Sequence, residues 1–436
     1  MFDFLLSEEH KLRRSAAQWL EMAERVYDYR HDLLTPAQLE SLQSARAELK
    51  KRTKDGSKAA ALKDGIERLE KVLATCGGRI YPTNSLVENV DFFLVAAIVI
   101  LGLRAYFIQP FKIPTNSMWP TYNGMTSEVY QPGEQPGAPA KAARFLLMGA
   151  TNYTLRAPAD GEVKIPFLPS GWAACTTHPG RTMFVFPAQM NEYVLSVGGE
   201  DVRVTVPFDW ARSGDFGFES VLWKTFFGGS RRAMYLALEA AIKADGGTST
   251  VYWLSTGKQV RKGDPIISFD ILTGDMLFVD RMTYNFFPPK VGQGFVFHTR
   301  KIPGIGQDQY YVKRLVGVPG DVLEVRRPAH VGANGAQTFG FGGREGLLYR
   351  NDAPITGSDA FRKNANKEGL YPGYTEGGLL SFGRTVEVPP NSFFAMGDNS
   401  PNSADGRSWG FVPDKEVVGR PLFIYYPITA RWGPAR

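Results

Sequence analysis

The stretch Phe111-Lys112-Ile113-Pro114-Thr115-Asn116-Ser117-Met118-Trp119-Pro120-Thr121 follows directly on the one strongly apolar segment of the chain. A serine set between two prolines, with a second hydroxyl two residues earlier at Thr115, is by itself a common turn pattern. Its place just beyond an apolar helix raises its interest. A hydroxyl performs acyl chemistry only beside a base, so what matters is which other group the chain can bring to Ser117.

Upstream, no charge interrupts Phe92 to Leu103, and apolar character resumes after Arg104 as far as Ile108. At about 1.5 Å per residue this run spans roughly 25 Å, near the minimum for a bilayer, with Arg104 able to snorkel. One transmembrane helix over 90–110 is expected, ended by Gln109-Pro110. The rival is a helix buried in a globular core. A cleaved leader does not fit a run that begins so far into the chain.

Residues 1–89 read as charged amphipathic helices on the cytosolic side. Thr35-Pro36-Ala37-Gln38 has the hydroxyl, proline and glutamine of a capping-box start. Leu39, Leu42 and Leu49 form one stripe and Leu62, Ile66, Leu69 and Leu73 another, with Lys54-Asp55-Gly56-Ser57 as the turn of a helical hairpin. A further helix around Leu12, Ala16, Trp19 and Leu20 can pack on it. This region either docks on a partner or is a solvated extension.

Composition narrows the remaining choices. The chain has 436 residues and a net charge of +6 with both signs mixed, which speaks against nucleic acid as a partner. Five histidines without ligand spacing and no Gly-rich phosphate loop point to neither a metal nor a nucleotide. The two cysteines, Cys76 and Cys175, flank the apolar segment, so they cannot pair within one membrane-spanning chain.

Downstream the sequence is mostly β-type, with short runs such as Met276-Leu277-Phe278-Val279 and Gly294-Phe295-Val296-Phe297 broken by Gly and Pro. A mainly antiparallel, barrel-like domain fits. Within it, Tyr310 to Gly317 sets Lys313 in an apolar strand that Pro319-Gly320-Asp321 ends. Such a lysine ordinarily marks an edge or a wet face. Buried, its ammonium would be desolvated and its pKa lowered, leaving an amine that can act as a base. A third stretch, Met396 to Gly410, is rich in short polar residues and holds Asp405 and Arg407 at ion-pair spacing.

Together the three stretches resemble the type I signal peptidases, membrane-bound Ser-Lys endopeptidases. The likeness rests on Pro114 to Thr121, Tyr311 to Asp321 and Gly397 to Gly410, in that order after one apolar helix. It implies Ser117 as nucleophile, Lys313 as general base and Ser403 as a hydroxyl orienting the lysine amine. The Ser117 N–H and the Thr115 hydroxyl would form the oxyanion hole, with Asp405 and Arg407 as a structural ion pair. Departures from the family pattern are Gln293 where an aspartate is common and Gly406 where a serine is common, neither of which removes a catalytic group.

The larger departure is the segment 122–273, placed between Pro114 to Thr121 and the strand Gly274 to Arg281, which in the family usually follows closely. Two of its pieces, Arg156 to Val163 and Gly257 to Ile266, resemble paired halves of a biotinyl/lipoyl-type barrel-sandwich, although no lysine occupies the modified turn. Ser230 to Ala244 reads as a helix, and the ends at Tyr122 and Thr273 are expected to meet. The segment is either a partner- or envelope-binding module or a decoration.

The expectation is therefore a mainly β catalytic domain built from 111–121 and 274–436, with one transmembrane helix, an N-terminal helical hairpin and a β-rich insertion. The resemblance implies a serine endopeptidase of the cytoplasmic membrane, with its N-terminus in the cytosol and its catalytic domain on the outer or periplasmic side. It would remove signal peptides from exported preproteins without a cofactor. Its partners would be those preproteins, the lipid bilayer and secretion machinery. The alternative is a catalytically silent membrane adaptor that binds envelope components through the insertion.

Overall fold

A computed structural model of the chain describes residues 8–56, 58–81, 85–182, 186–211, 213–306, 308–331, 337–339 and 344–435. The chain divides into two compact units after Leu101.

In the first unit, helices Glu8–Arg30, Pro36–Lys54 and Ala59–Cys76 share one core. The capping box forms, with the Gln38 N–H donating to Thr35 Oγ1 and the Thr35 N–H donating to Gln38 Oε1. Leu42, Leu49, Leu62, Ile66, Leu69 and Leu73 are buried as the stripes require, while Leu39 is only half-buried. Ala16, Ala23 and Val26 of the first helix complete the core. The turn runs through Asp55 and Gly56, and Ser57 lies outside the described residues.

The apolar helix runs Ser85–Tyr106, and nothing in its Glu88–Tyr106 stretch is buried. Phe92, Phe93 and Ile98 are each more than two-thirds exposed, so the alternative of a buried core helix does not hold. The helix ends earlier than expected. Ile108–Lys112 is instead an edge strand, paired antiparallel with Met276–Asp280 from Ile108 opposite Asp280 to Lys112 opposite Met276. Pro110 has no N–H to donate, and an edge strand tolerates that where a central one would not. The helix itself therefore runs 85–106, where one over 90–110 was expected.

The second unit is mainly β. Its principal sheet is antiparallel, in the order Ile108–Lys112, Met276–Asp280, Val417–Tyr426, Gly294–His298, Tyr310–Gly317, Ser392–Met396, Val412–Pro413, with Gly433–Pro434 beside Val417–Tyr426. A second sheet orders Ala353–Pro354, Glu345–Arg350, Val322–Arg326 and Thr385–Glu387, with Tyr374–Thr375 against Glu345–Arg350. Tyr310–Gly317 is central in the principal sheet, and Lys313 to Gly317 are buried in succession, so both faces of the strand are covered. A strand covered on both faces cannot show the apolar and polar alternation that betrays a wet face.

The insertion has a core of its own, in which Val163, Phe167, Leu195, Trp210, Phe218 and Phe269 are fully buried. Strand Thr151–Arg156 pairs with Pro265–Leu272 and strand Gly161–Phe167 with Tyr252–Val260, so the two pieces singled out in the sequence lie strand against strand. Between them, Cys175–Thr182, Phe186–Val197 and Glu200–Pro207 form an antiparallel meander. The helix expected from Ser230 runs Arg231–Ala244, with Ser230 Oγ accepting from the Ala233 N–H as its cap. The ends of the insertion do meet. The Asp275 N–H donates to the Asn123 carbonyl, and the Asn123 N–H donates to the Asp275 carboxylate, both at 2.8 Å.

Candidate active site

Ser117 lies in a loop closed by the side chain of its neighbour. Asn116 Nδ2 donates to the Met125 carbonyl at 2.7 Å, and Asn116 Oδ1 accepts from the Gly124 N–H at 3.0 Å. Met118 and Tyr122 anchor the loop in the apolar core beside Leu277 and Ile424. From the third stretch, the Asn399 N–H donates to the Ser117 carbonyl and Asn399 Nδ2 donates to the Asn116 carbonyl, each at 3.0 Å. The backbone on both sides of Ser117 is thus tied down, which fixes where its Oγ sits.

Lys313 comes from the central strand, opposite Phe295 of the neighbouring strand. Its Nζ lies 2.5 Å from Ser117 Oγ and donates to it, and both side chains are buried. Burial pushes the Lys313 ammonium down from 10.5 to about 8; Asp405 and Asp398 oppose that and Arg407 assists it. Desolvation prevails because Asp405 and Arg407 are already paired with each other and their fields at Nζ largely cancel. The Tyr311 ring centre stands 5.6 Å from Nζ.

The Asp405 to Arg407 ion pair is bidentate at 2.8 Å for both bonds, and both groups are buried. Arg407 also donates to the carbonyls of Thr375 and Ser400, at 2.8 and 2.6 Å, while Asp405 accepts from the Gly397 N–H at 3.1 Å. The pair therefore shapes the loop that carries Ser403. Ser403 Oγ is buried and makes no hydrogen bond among the described residues, so the orienting bond to Lys313 that the resemblance implies is not formed in this structure. A Cβ on Gly397 would lie 2.3 Å from both Ser403 Oγ and the Ser117 carbonyl oxygen, so this close approach of the third stretch to the Ser117 loop depends on glycine. Thr115 is exposed and lines, with Ser117 and Lys313, a cleft of about 500 Å³.

A second buried ion pair was not foreseen from the sequence. Arg314 Nε and Nη2 donate to the two carboxylate oxygens of Asp398 at 2.7 and 2.6 Å, with both side chains nearly inaccessible. Thr121 Oγ1 also donates to Asp398 at 2.5 Å, and Arg314 Nη1 donates to the Gly292 carbonyl at 2.6 Å. One carboxylate thereby joins all three stretches. The available signal was a charge of each sign embedded in apolar sequence immediately beside a proposed site residue. Among the described residues no group of three or more His, Cys, Asp or Glu side chains is gathered as a metal site.

Residues 267–426 match the family model described as signal peptidase, peptidase S26. Signal peptidase I of Aquifex aeolicus is 30% identical over 188 residues, an alignment covering 36% of this chain and 70% of that protein. The chain belongs to the type I signal peptidase family. Another family member, probable signal peptidase I-1 of Synechocystis sp., is 30% identical over 163 residues, covering 37% of this chain and 66% of that protein. Signal peptidase I of Leptolyngbya laminosa is 28% identical, with 62% of its length covered. The chain thus spans about two thirds of the length of these signal peptidases. A solved signal peptidase I from Enterococcus faecalis is 23% identical, covers 31% of this chain and 97% of its own, and superposes with a TM-score of 0.21. The signal peptidase match takes in Lys313, Ser403, Asp405 and Arg407, whereas Ser117 and most of the insertion precede it.

Proposed function

We propose that the chain is a membrane-bound serine endopeptidase that cleaves N-terminal signal peptides from exported preproteins, with Ser117 as nucleophile and Lys313 as general base. The observation that carries this reading is the 2.5 Å approach of Lys313 Nζ to Ser117 Oγ in a buried setting that lowers the lysine pKa to about 8. With a pKa that low, a useful fraction of the amine is neutral near physiological pH, as a lysine base requires.

Ser117 Oγ attacks the scissile carbonyl carbon as its proton passes to Lys313 Nζ. The oxyanion so formed is met by the Ser117 N–H and the Thr115 hydroxyl. Lys313 then gives the proton to the departing amine, an acyl-enzyme remains on Ser117, and water attacks it with Lys313 again taking the proton. Ser403, whose buried hydroxyl makes no hydrogen bond among the described residues, is the group proposed to hold the amine once the Ser117 proton has moved. The substrate lies extended along a strand edge, with small side chains at the cleavage site.

The apolar faces of helix Ser85–Tyr106 support a single membrane anchor, with the helical region in the cytosol and the peptidase unit on the outer side of the cytoplasmic membrane. Preproteins and the bilayer are then the partners, and secretion machinery is a third through the helical region. The silent-adaptor alternative leaves the closeness of serine and buried lysine without a purpose. The test is treatment of the full-length protein with a serine-reactive acylating probe, alongside cleavage of a precursor peptide. Labelling at Ser117 and cleavage, both lost in Ser117→Ala, are expected. An unlabelled Ser117 with no cleavage of any precursor would overturn the reading.

A further inference from the structure

The cleft that holds Ser117 and Lys313 is lined by Thr115, Tyr310 and Tyr311 and by residues of the insertion, chiefly Trp172, Phe208, Asp209 and Arg231. These come from three separate parts of the insertion and converge only in the fold. Trp172 occupies the end of a tight turn in which the Leu168 N–H donates to the Trp172 carbonyl at 2.8 Å and the Gly171 N–H donates to the Leu168 carbonyl at 2.9 Å. The next residue is held as well, since the Ala173 N–H donates to the Glu219 carboxylate at 3.3 Å. Arg231 is fixed by Asp215 at 2.7 Å and by the Tyr235 hydroxyl at 3.2 Å.

The wall is also fastened to the nucleophile loop. Trp119, two residues after Ser117, packs its ring against Phe216 of the insertion, with centroids 5.3 Å apart. Among the described residues Trp172 belongs to none of the hydrophobic cores; it lines the cleft, and 41% of its surface is exposed. A large aromatic side chain with only two rotatable torsions, set on a backbone held by these hydrogen bonds, loses little conformational freedom on binding and gains from covering its apolar surface.

We infer that the insertion is a substrate-selecting wall of the peptidase, in which Trp172 and Phe208 form a platform for a large apolar side chain of the precursor. This rests on the reading of Ser117 and Lys313 as the reacting pair. The substrate class is narrowed by it: an extended peptide with a bulky apolar residue at one position away from the scissile bond, in addition to the small residues beside that bond. The indole and phenyl faces of the platform accept Leu, Ile, Phe or Met by burial of area and offer an alanine much less.

The test is a scan of precursor peptides in which Ala is replaced by Phe, one position at a time, cleaved by the full-length protein in detergent. The wild-type protein is expected to favour Phe at one position by on the order of 10-fold in kcat/KM, the scale of burying one large apolar side chain. Trp172→Ala and Phe208→Ser should each reduce that Phe-to-Ala ratio towards unity, with the loss carried mainly by KM. Trp253→Ala, at an exposed position of the insertion outside the cleft, should keep the wild-type ratio and checks for general damage. A wild-type protein with no such preference at any position, or Trp172→Ala and Phe208→Ser both keeping the full ratio, would overturn the inference. Acylation of Ser117 in the wild-type protein by a small probe reads the reacting pair separately, so a failure there belongs to the proposed function and not to the wall.

Discussion

Lys313 Nζ and Ser117 Oγ, 196 residues apart in sequence, stand 2.5 Å apart in the fold. The strand that carries the lysine and the loop that carries the serine meet because Asn399 grips the loop while Ser392–Met396 pairs with the lysine strand. The consequences of this contact can be measured.

Activity should follow deprotonation of Lys313. Its pKa of about 8 predicts that kcat/KM rises with pH along a limb centred near 8 and flattens above it. Ser117→Ala, Lys313→Ala and Lys313→Arg should each abolish turnover, the last because a guanidinium keeps its proton. Thr115→Ala should retain the nucleophile and lose roughly 10²- to 10³-fold in rate, as for one oxyanion donor. A flat profile from pH 6 to 9 in steady-state peptide cleavage would rule out a titrating lysine.

The same burial should cost stability. Between about pH 8 and 10.5 the unfolded chain binds a proton at Lys313 that the folded chain does not, so stability rises with pH across that window, and below it the full penalty stands. The fall from 10.5 to about 8 corresponds to about 3 kcal/mol at most. Lys313→Met should therefore be more stable than the wild type at pH 7 by on the order of 1–3 kcal/mol, seen as a higher Tm, with the difference shrinking by pH 10. Equal Tm values at both pH values would show that the ammonium is solvated.

Gly397→Ala should damage the site far more than the fold. The added methyl meets the Ser117 carbonyl oxygen and Ser403 Oγ at 2.3 Å, so the nucleophile loop has to move. A displacement of about 1 Å in a reacting group is enough to lower kcat by on the order of 10²-fold. Steady-state cleavage set against thermal melting separates the two effects, and near-normal kcat would show that the loop accommodates the methyl.

Asp398→Ala should be among the most destabilising single changes. It strands the Arg314 guanidinium in the interior and removes the acceptor of Thr121 Oγ1. Breaking one partner of a buried pair costs about 3–5 kcal/mol. Urea denaturation should show a loss of that size. A loss below about 1 kcal/mol would mean that water reaches Arg314 and that the pair is not sealed as its burial indicates.

Topology can be read with cysteines, but not with the two native ones alone, because Cys76 is buried and would resist a thiol reagent on either side of a membrane. Ser44→Cys and Ser408→Cys place thiols at exposed positions of the two units. An impermeant reagent on intact cells should label Ser408→Cys, and should reach Ser44→Cys only after lysis. The opposite pattern would invert the proposed orientation.

Much of this molecule is written locally. The capping box at Thr35, the leucine stripes and the uninterrupted run from Phe92 to Leu103 depend on neighbours three or four residues away, and helices follow from such spacing. Pro114 to Thr121 and Tyr311 to Asp321 were legible because the proposed site demands particular residue types in a particular order. Tertiary structure alone decided what Lys313 is. Its local pattern equally suits a wet edge, and only the closing of strands on both sides buries it and lowers its pKa. The Arg314 to Asp398 pair, the strand that replaces the expected helix end at Pro110, and the arrival of Trp172 in the cleft of Ser117 bring together segments far apart in sequence. No short-range periodicity encodes them, because each exists only once loop closure has brought its two halves together.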